Sequence, residues 1–437
     1  MAAGLPMSRE KQKLGRLPML LRFWFALTAL APMILIWSAR FAHRKQNAEP
    51  ERFVERLGRA SLARPAGSLI WIHAASVGEV ASVVKLVQDL IDRGNSSILV
   101  TTTTATGATT VARRLPDALH QFLPIDTPGA VSRFLNHWHP DAALFVEGDL
   151  WPRIILSLER RNCPIVLLNL RASRSRDRFP SVYSRLLSCM HLITAQDSSL
   201  LDGLQALGLD HARLHAPGNL KADIIVPSVN ETIRTRITSA ASGRGLWACV
   251  STHLGEETLI LDAHASLAGN PMLVLVPRHP ERGDDLAAEL SRRDLVFSRH
   301  SKGELPDAQT QVHLVDVLGE TGTVYAAVGV AFIGGSLVPD PGGHTPYEPL
   351  ALGCAILSGP HVRNFESAYK SLQAEGAACM VPDPSALAAK IGALLQDKNR
   401  LNTMKNAVQE TQSAQGGATE RTLDLIANFL PQDKINR

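Results

Sequence analysis

Short apolar runs, each closed by a polar or glycine-rich turn and followed by a helix-like stretch, recur along this chain and constrain its fold more than any other feature. The first series reads as strands at 68–73, 97–102, 142–147, 165–169 and 191–195. The text turns polar between Val226 and Arg244, and a second series follows at 246–251, 272–276, 311–315, 330–333 and 355–357. Strands that alternate with helices pair in parallel, so the expected class is α/β: two Rossmann-like, doubly wound domains facing a cleft. A chain of 437 residues has ample length for two cores. The expected division is 1–48 as an N-terminal anchor with its flanks, 49–228 as one domain and 229–437 as the other. Ligands of such sheets sit outside the carboxyl ends of the strands, so the segments after each strand are where chemistry is sought.

Residues 23–39, FWFALTALAPMILIWSA, carry no charge and read as an uncleaved membrane-anchor helix. No small-residue cleavage site follows, which argues against a signal peptide. Pro32 and Arg22 favour the alternative of a helix lying in the interface. Basic residues flank both sides, with Arg9, Lys11, Lys13 and Arg16 before the run and Arg40, Arg44 and Lys45 after it, so orientation stays undecided. A net charge of +4 is too mild for a nucleic-acid partner and suits anionic substrates or an anionic membrane surface. The five cysteines are scattered through apolar runs without zinc or disulfide spacing and read as reduced core thiols.

The stretch 331–349, AFIGGSLVPDPGGHTPYEP, is the most unusual strand end. An apolar run stops at Gly334 and Gly335, a loop follows, and Glu348 and Pro349 lead into what reads as the first turns of a helix. Strand, glycine loop and helix start aim backbone N–H groups at an anion, whereas a plain surface turn is the simpler alternative. After the first strand, HAASVGE puts Glu79 in a helix's first turn, either as a capping group or as a general base. Ser76 lacks the GxSxG frame of a nucleophile. Threonines 101–104 suit contacts to a sugar or phosphate and are equally good strand residues. Glu147 and Asp149, in EGDLWP, form an acidic pair with no third metal ligand nearby, so no metal is expected. NLRASRSRDR holds four arginines, as a solvated loop or an anion-binding surface. Lys221, in GNLKAD, is placed to neutralise a leaving group. Arg278 follows a core strand, Glu320 is a candidate acceptor for a ribose or base, and His344 stands out among the histidines.

Taken in order, SVGE, EGDLWP, NLRASRSR, GNLKAD, STHLGEE, PRHPER and the GGSLVP and GGHTPYEP blocks resemble the bacterial Kdo transferases. These are membrane-anchored glycosyltransferases that move 3-deoxy-D-manno-octulosonic acid (Kdo) from CMP-Kdo to the lipid A precursor of lipopolysaccharide. The likeness spans about 69–365 and the N-terminal segment. It implies a GT-B fold, with residues 49–228 binding the acceptor and 229–437 the CMP-sugar. It implies Glu79 as the base, with Glu147 and Lys221 supporting the transition state. It assigns CMP binding to Pro277, Arg278, Leu318, Gly319, Glu320, Thr345, Pro346, Tyr347 and Glu348. It further implies inversion in one step, no cofactor beyond the donor CMP-Kdo, lipid IVA as acceptor, and a place on the cytoplasmic side of the inner membrane among its lipids. Thr345 and Tyr347 stand where the family usually has asparagine and leucine, Gly148 and Asp149 where it has threonine and glutamate, and Ala222 where it has phenylalanine. These departures bear on acceptor preference. The rival readings are another GT-B enzyme with a different nucleotide sugar, a non-hydrolysing epimerase, and a two-lobed sugar-binding protein without turnover.

Overall fold

The computed structural model describes residues 17–431, so Arg9, Lys11, Lys13 and Arg16 lie outside the described residues. The chain divides into two compact units, one of Met1–Asp223 with Gly417–Arg437 and one of Ile224–Gly416.

The first unit is built on a seven-stranded parallel sheet. Its strands are β1 (Leu69–His73), β2 (Ser97–Thr102), β3 (Leu119–Phe122), β4 (Ala142–Val146), β5 (Ile165–Leu170), β6 (Leu192–Ala195) and β7 (Leu214–His215), in the order β3-β2-β1-β4-β5-β6-β7. The period-2 alternation of a strand sorts its side chains to two faces. Leu69 and Trp71 enter one core with Leu99, Phe145 and Leu167, while Ile70 and Ile72 enter the other with Val100, Leu144 and Leu168. Both faces are covered, which is why these strands read as continuous apolar runs. Strands β3 and β7 escaped the sequence pattern because LHQF is half polar and β7 has only two residues.

The N-terminal apolar run differs from the expected single anchor helix. It forms two helices, Met19–Leu30 and Pro32–Lys45, bent by 83° at the break, and no single described helix is long and apolar enough to cross a membrane. Pro32 disfavours helical geometry at the residue before it, and Ala31 accordingly adopts φ −127° and ψ 50°. The first of these helices packs onto the unit. Leu21 joins its core, Trp24 Nε1 donates to Asp126 Oδ2 at 2.6 Å, and the Arg153 guanidinium donates to Phe25 O and Thr28 Oγ1. The opposite side leaves Met19, Leu20, Phe23, Leu30, Met33, Ile34, Trp37 and Phe41 exposed.

The second unit carries its own seven-stranded parallel sheet. Its strands are β8 (Leu246–Thr252), β9 (Met272–Pro277), β10 (Phe297–Arg299), β11 (Val312–Leu314), β12 (Val330–Ile333), β13 (Ala355–Ser358) and β14 (Ala378–Met380), in the order β10-β11-β9-β8-β12-β13-β14. Strands β10 and β14 are the two edges of this sheet, pair on one side only, and left no continuous apolar run in the sequence.

The expected boundary also shifts, because the C-terminal helix Ala418–Ile426 belongs to the first unit rather than the second. The Asp223 carboxylate accepts from the Gly417 and Thr419 N–H groups, Arg421 Nε donates to Pro217 O, and Ala418, Leu423 and Ile426 complete the first unit's core.

Candidate active site

In the first sheet, consecutive strands run outward from β1 on one side and from β4 on the other, so a crevice opens between these two at their carboxyl ends. Glu79 and Glu147 follow those two strands. Ser76 caps the helix Val77–Asp92, accepting from Glu79 N, while Glu79 Oε2 accepts from Ala75 N at 2.7 Å. The capping arrangement therefore exists, and it fixes where the carboxylate stands. Burial, with the nearby Glu147 charge adding to it, raises the Glu79 pKa against the lowering effect of the Ala75 N–H.

Glu147 ends β4 with φ 60° and Gly148 follows with φ 125°, a left-handed turn that only a glycine takes without strain. The turn delivers a carboxylate whose side chain is 6% exposed to two cations, Lys221 Nζ at 2.5 Å and Arg171 Nε at 3.1 Å. Lys221 is held through its backbone. Asn219 Oδ1 accepts from Lys221 N, and Asn169 Oδ1 accepts from Leu220 N, both at 3.0 Å. Asp149 turns the other way, accepting from Trp151 Nε1 at 3.2 Å and meeting His73 Nε2 at 3.1 Å. Burial pulls the Asp149 pKa up, and the His73 contact with its other hydrogen bonds outweighs this and lowers it. Both members of the acidic pair are thus engaged by protein donors. A cavity of about 760 Å³ is lined by Glu79, Glu147 and Asp149 together with Arg171, Arg174 and Arg176. Arg176 is mostly structural, being buried and bonded to Arg171 O at 3.2 Å, and Arg178 is not among the lining residues. Within the threonine run, Thr101 accepts from Trp71 Nε1 and Thr104 caps the next helix.

The second sheet opens its crevice between β8 and β12. The glycine loop after β12 departs from expectation in two ways. Its amides at Gly335, Ser336 and Leu337 donate to the fully buried Glu256 carboxylate at 2.7–2.9 Å, so an internal anion occupies the cradle. The helix that follows is only Tyr347–Ala351.

Of the residues assigned to CMP, Pro277 is the buried last residue of β9, and Arg278 is exposed with its N–H bonded to Thr252 O at 3.0 Å. Leu318 is exposed, Gly319 has φ 96°, and the half-buried Glu320 precedes the helix Thr321–Ala327. Thr345 Oγ1 accepts from Tyr347 N at 3.3 Å beside the buried Pro346, and Thr321 Oγ1 donates to Glu348 Oε2 at 3.4 Å. That last bond brings the 318–320 turn to the 345–348 block. His344 Nε2 lies 2.7 Å from His253 Nε2, the two rings meeting nitrogen to nitrogen with planes 13° apart and centroids 5.0 Å apart, and the His279 ring meets His253 edge-on.

Sequence reasoning assigned no role to His73, Asn169 or His253. The available signal was a polar side chain ending an otherwise apolar strand.

Residues 51–224 match the family described as 3-Deoxy-D-manno-octulosonic-acid transferase (kdotransferase). The 3-deoxy-D-manno-octulosonic acid transferase of Haemophilus influenzae is 37% identical over 88% of this chain and 92% of its own length. That of Bordetella pertussis is 33% identical over 93% and 99%. The solved structure of the glycotransferase of kitacinnamycin, 16% identical, has the same kind of fold, with a TM-score of 0.51 over 84% of this chain and 100% of its own. The two parallel-sheet α/β domains are of the GT-B glycosyltransferase type, and the chain belongs to the 3-deoxy-D-manno-octulosonic acid transferases.

Proposed function

We propose that the protein transfers Kdo from CMP-Kdo to a hydroxyl of lipid IVA with inversion at the anomeric carbon, Glu79 taking the proton of the attacking hydroxyl. The observation that carries this reading is the Glu79 carboxylate itself. It lines a cavity of about 760 Å³, one oxygen is held by Ala75 N–H, and burial raises its pKa above the usual carboxylate value. Attack forms the new C–O bond as the bond to the phosphate oxygen breaks, and that electron pair leaves with CMP. One base and a set of cations suffice for such a displacement, with no covalent enzyme nucleophile. Glu147 and Lys221 are assigned to the transition state because the pair stands beside the base. Arg171 and Arg174 on the cavity rim suit an anionic acceptor.

CMP is assigned to Pro277, Arg278, Leu318–Glu320 and Thr345–Glu348, supported by the Thr321–Glu348 bond that joins two of these segments. The bent N-terminal helix pair is assigned to the surface of the inner membrane on its cytoplasmic side. Its exposed Phe23, Met33, Ile34, Trp37 and Phe41 provide the apolar contact, and Arg40, Arg44 and Lys45 the basic one.

The test is a transfer assay on detergent-extracted protein with CMP-Kdo and tetra-acylated lipid A precursor, read by mass spectrometry. One or more Kdo additions, absent in Glu79→Gln, support the proposal. Intact CMP-Kdo in the presence of bound nucleotide would assign the chain a different substrate.

A further inference from the structure

We propose that His253 and His344 form a proton-coupled anion site, an imidazole pair that takes up a proton when the phosphate of a cytidine nucleotide docks against it. The inference rests on the donor reading above and adds a second element to it.

The pair occupies the place where a doubly wound sheet binds its ligand. His253 directly follows β8 and His344 lies in the loop after β12, the two strands that flank the crevice of the second sheet. The backbone of each residue is anchored, and the His344 ring is closely packed. Tyr369 Oη donates to His344 O at 3.1 Å, Gly335 lies so close that a Cβ there would stand 3.0 Å from the His344 ring, and His253 N donates to Glu256 Oε2 at 3.2 Å.

The 2.7 Å contact between the Nε2 atoms requires one ring to donate and the other to accept. The neutral pair therefore holds two protons on four nitrogens. A third fits on Nδ1 of the donating ring without breaking the contact. Burial holds His344 at about 4 and lowers His253, so the unliganded pair is neutral near pH 7.

Among the described residues, the nearby carboxylates Glu256, Glu257 and Glu281 are already engaged. Arg278, from the end of β9, adds positive charge beside both rings, as Arg282 does beside His253. Glu257 is bonded to Arg282 at 2.6 Å, Glu281 lies 3.3 Å from His279, and Glu256 is committed to the loop amides. A phosphate placed here supplies the missing charge. An opposite charge within about 4–6 Å raises an imidazole pKa by about 1–3, and the upper end of that shift brings His344 from about 4 to about 7.

The experiment is calorimetric titration of CMP into the full chain at pH 7.0, in buffers of different ionisation enthalpy. The expected result is uptake of up to about 0.5 proton per CMP bound, with none for cytidine, which lacks the phosphate. CMP bound as its dianion releases protons from the free nucleotide, so uptake has the opposite sign to that contribution. His344→Gln and His253→Gln should each abolish the uptake and weaken CMP about tenfold at pH 6.5, with a smaller loss at pH 8.5. Binding of CMP by the native protein without proton uptake would overturn the proposal, and this reading needs no variant to fold. Uptake retained in both variants would overturn it as well. If native protein binds neither CMP nor cytidine, the donor reading itself fails and the ligand of this site falls with it.

Discussion

Lys221 Nζ stands 2.5 Å from one oxygen of Glu147 while Arg171 Nε stands 3.1 Å from the other, so a nearly buried carboxylate is bracketed by two cations from different strand ends. The Glu147 charge acts in turn on Glu79, raising its pKa. The two cations therefore hold in place a charge that acts on the proposed base.

Because Glu79 acts as a base only when deprotonated, kcat/KM should rise with pH through its folded-state pKa, which lies above the usual 4.5. Removing Lys221 leaves more of the Glu147 charge uncompensated. In Lys221→Ala the acid limb of the pH–rate profile should move to higher pH, and kcat should fall by about 10²-fold or more. A limb that stays in place would separate Lys221 from the base.

Glu79→Gln should abolish transfer while CMP affinity stays unchanged. Stability should move the other way. A carboxyl whose folded-state pKa is raised favours folding in its protonated form, and that contribution is lost as pH climbs past the raised value. The amide variant should thus unfold at an equal or higher temperature than the native protein at pH 7–8, as thermal denaturation would show.

Arg278→Ala should weaken CMP binding by about 1.5–3 kcal/mol, the range of a hydrogen bond to a charged group. Unchanged affinity in a titration would make this arginine structural.

Glu256→Ala leaves the amides of Gly335, Ser336 and Leu337 without their acceptor, at about 1–3 kcal/mol for each orphaned donor. The second unit should lose most of its stability, and Glu256→Gln, which keeps one acceptor oxygen, should lose clearly less. Chemical denaturation of both variants checks the order.

Trp24→Phe removes the 2.6 Å bond to Asp126, whose carboxylate also accepts from Arg153 N and Ile154 N at the start of the helix Pro152–Arg160. Hydrogen exchange should accelerate across Met19–Leu30, with a smaller increase at Pro152–Arg160. Unchanged exchange in the first helix would show that its apolar contacts alone hold it.

Much of the fold was legible because parallel strands covered on both faces must be apolar along their whole length, as β1, β4 and β5 are. Short edge strands such as β7 and β14 carry no such signature. The Glu79 capping motif was legible too, since it spans only Ser76 to Glu79. The bend at Pro32 was half legible: the proline by itself disfavours helical geometry at Ala31, but which side of the first helix packs, through Leu21 and Trp24, depends on distant partners.

The order of residues along the chain by itself determined two strand–helix series, the strand ends where polar side chains gather, and membership of the transferase family, because these follow from local periodicity and contiguous motifs. Only the tertiary structure decided which distant side chains meet. It placed Lys221 on Glu147, put the Glu256 carboxylate in the cradle expected to receive an external anion, paired His253 with His344, and returned the C-terminal helix to the first unit. Each of these is a contact between residues separated by dozens to hundreds of positions. Such contacts are set by sheet order and by the need of buried charges and amides to find partners, neither of which any local window of sequence contains.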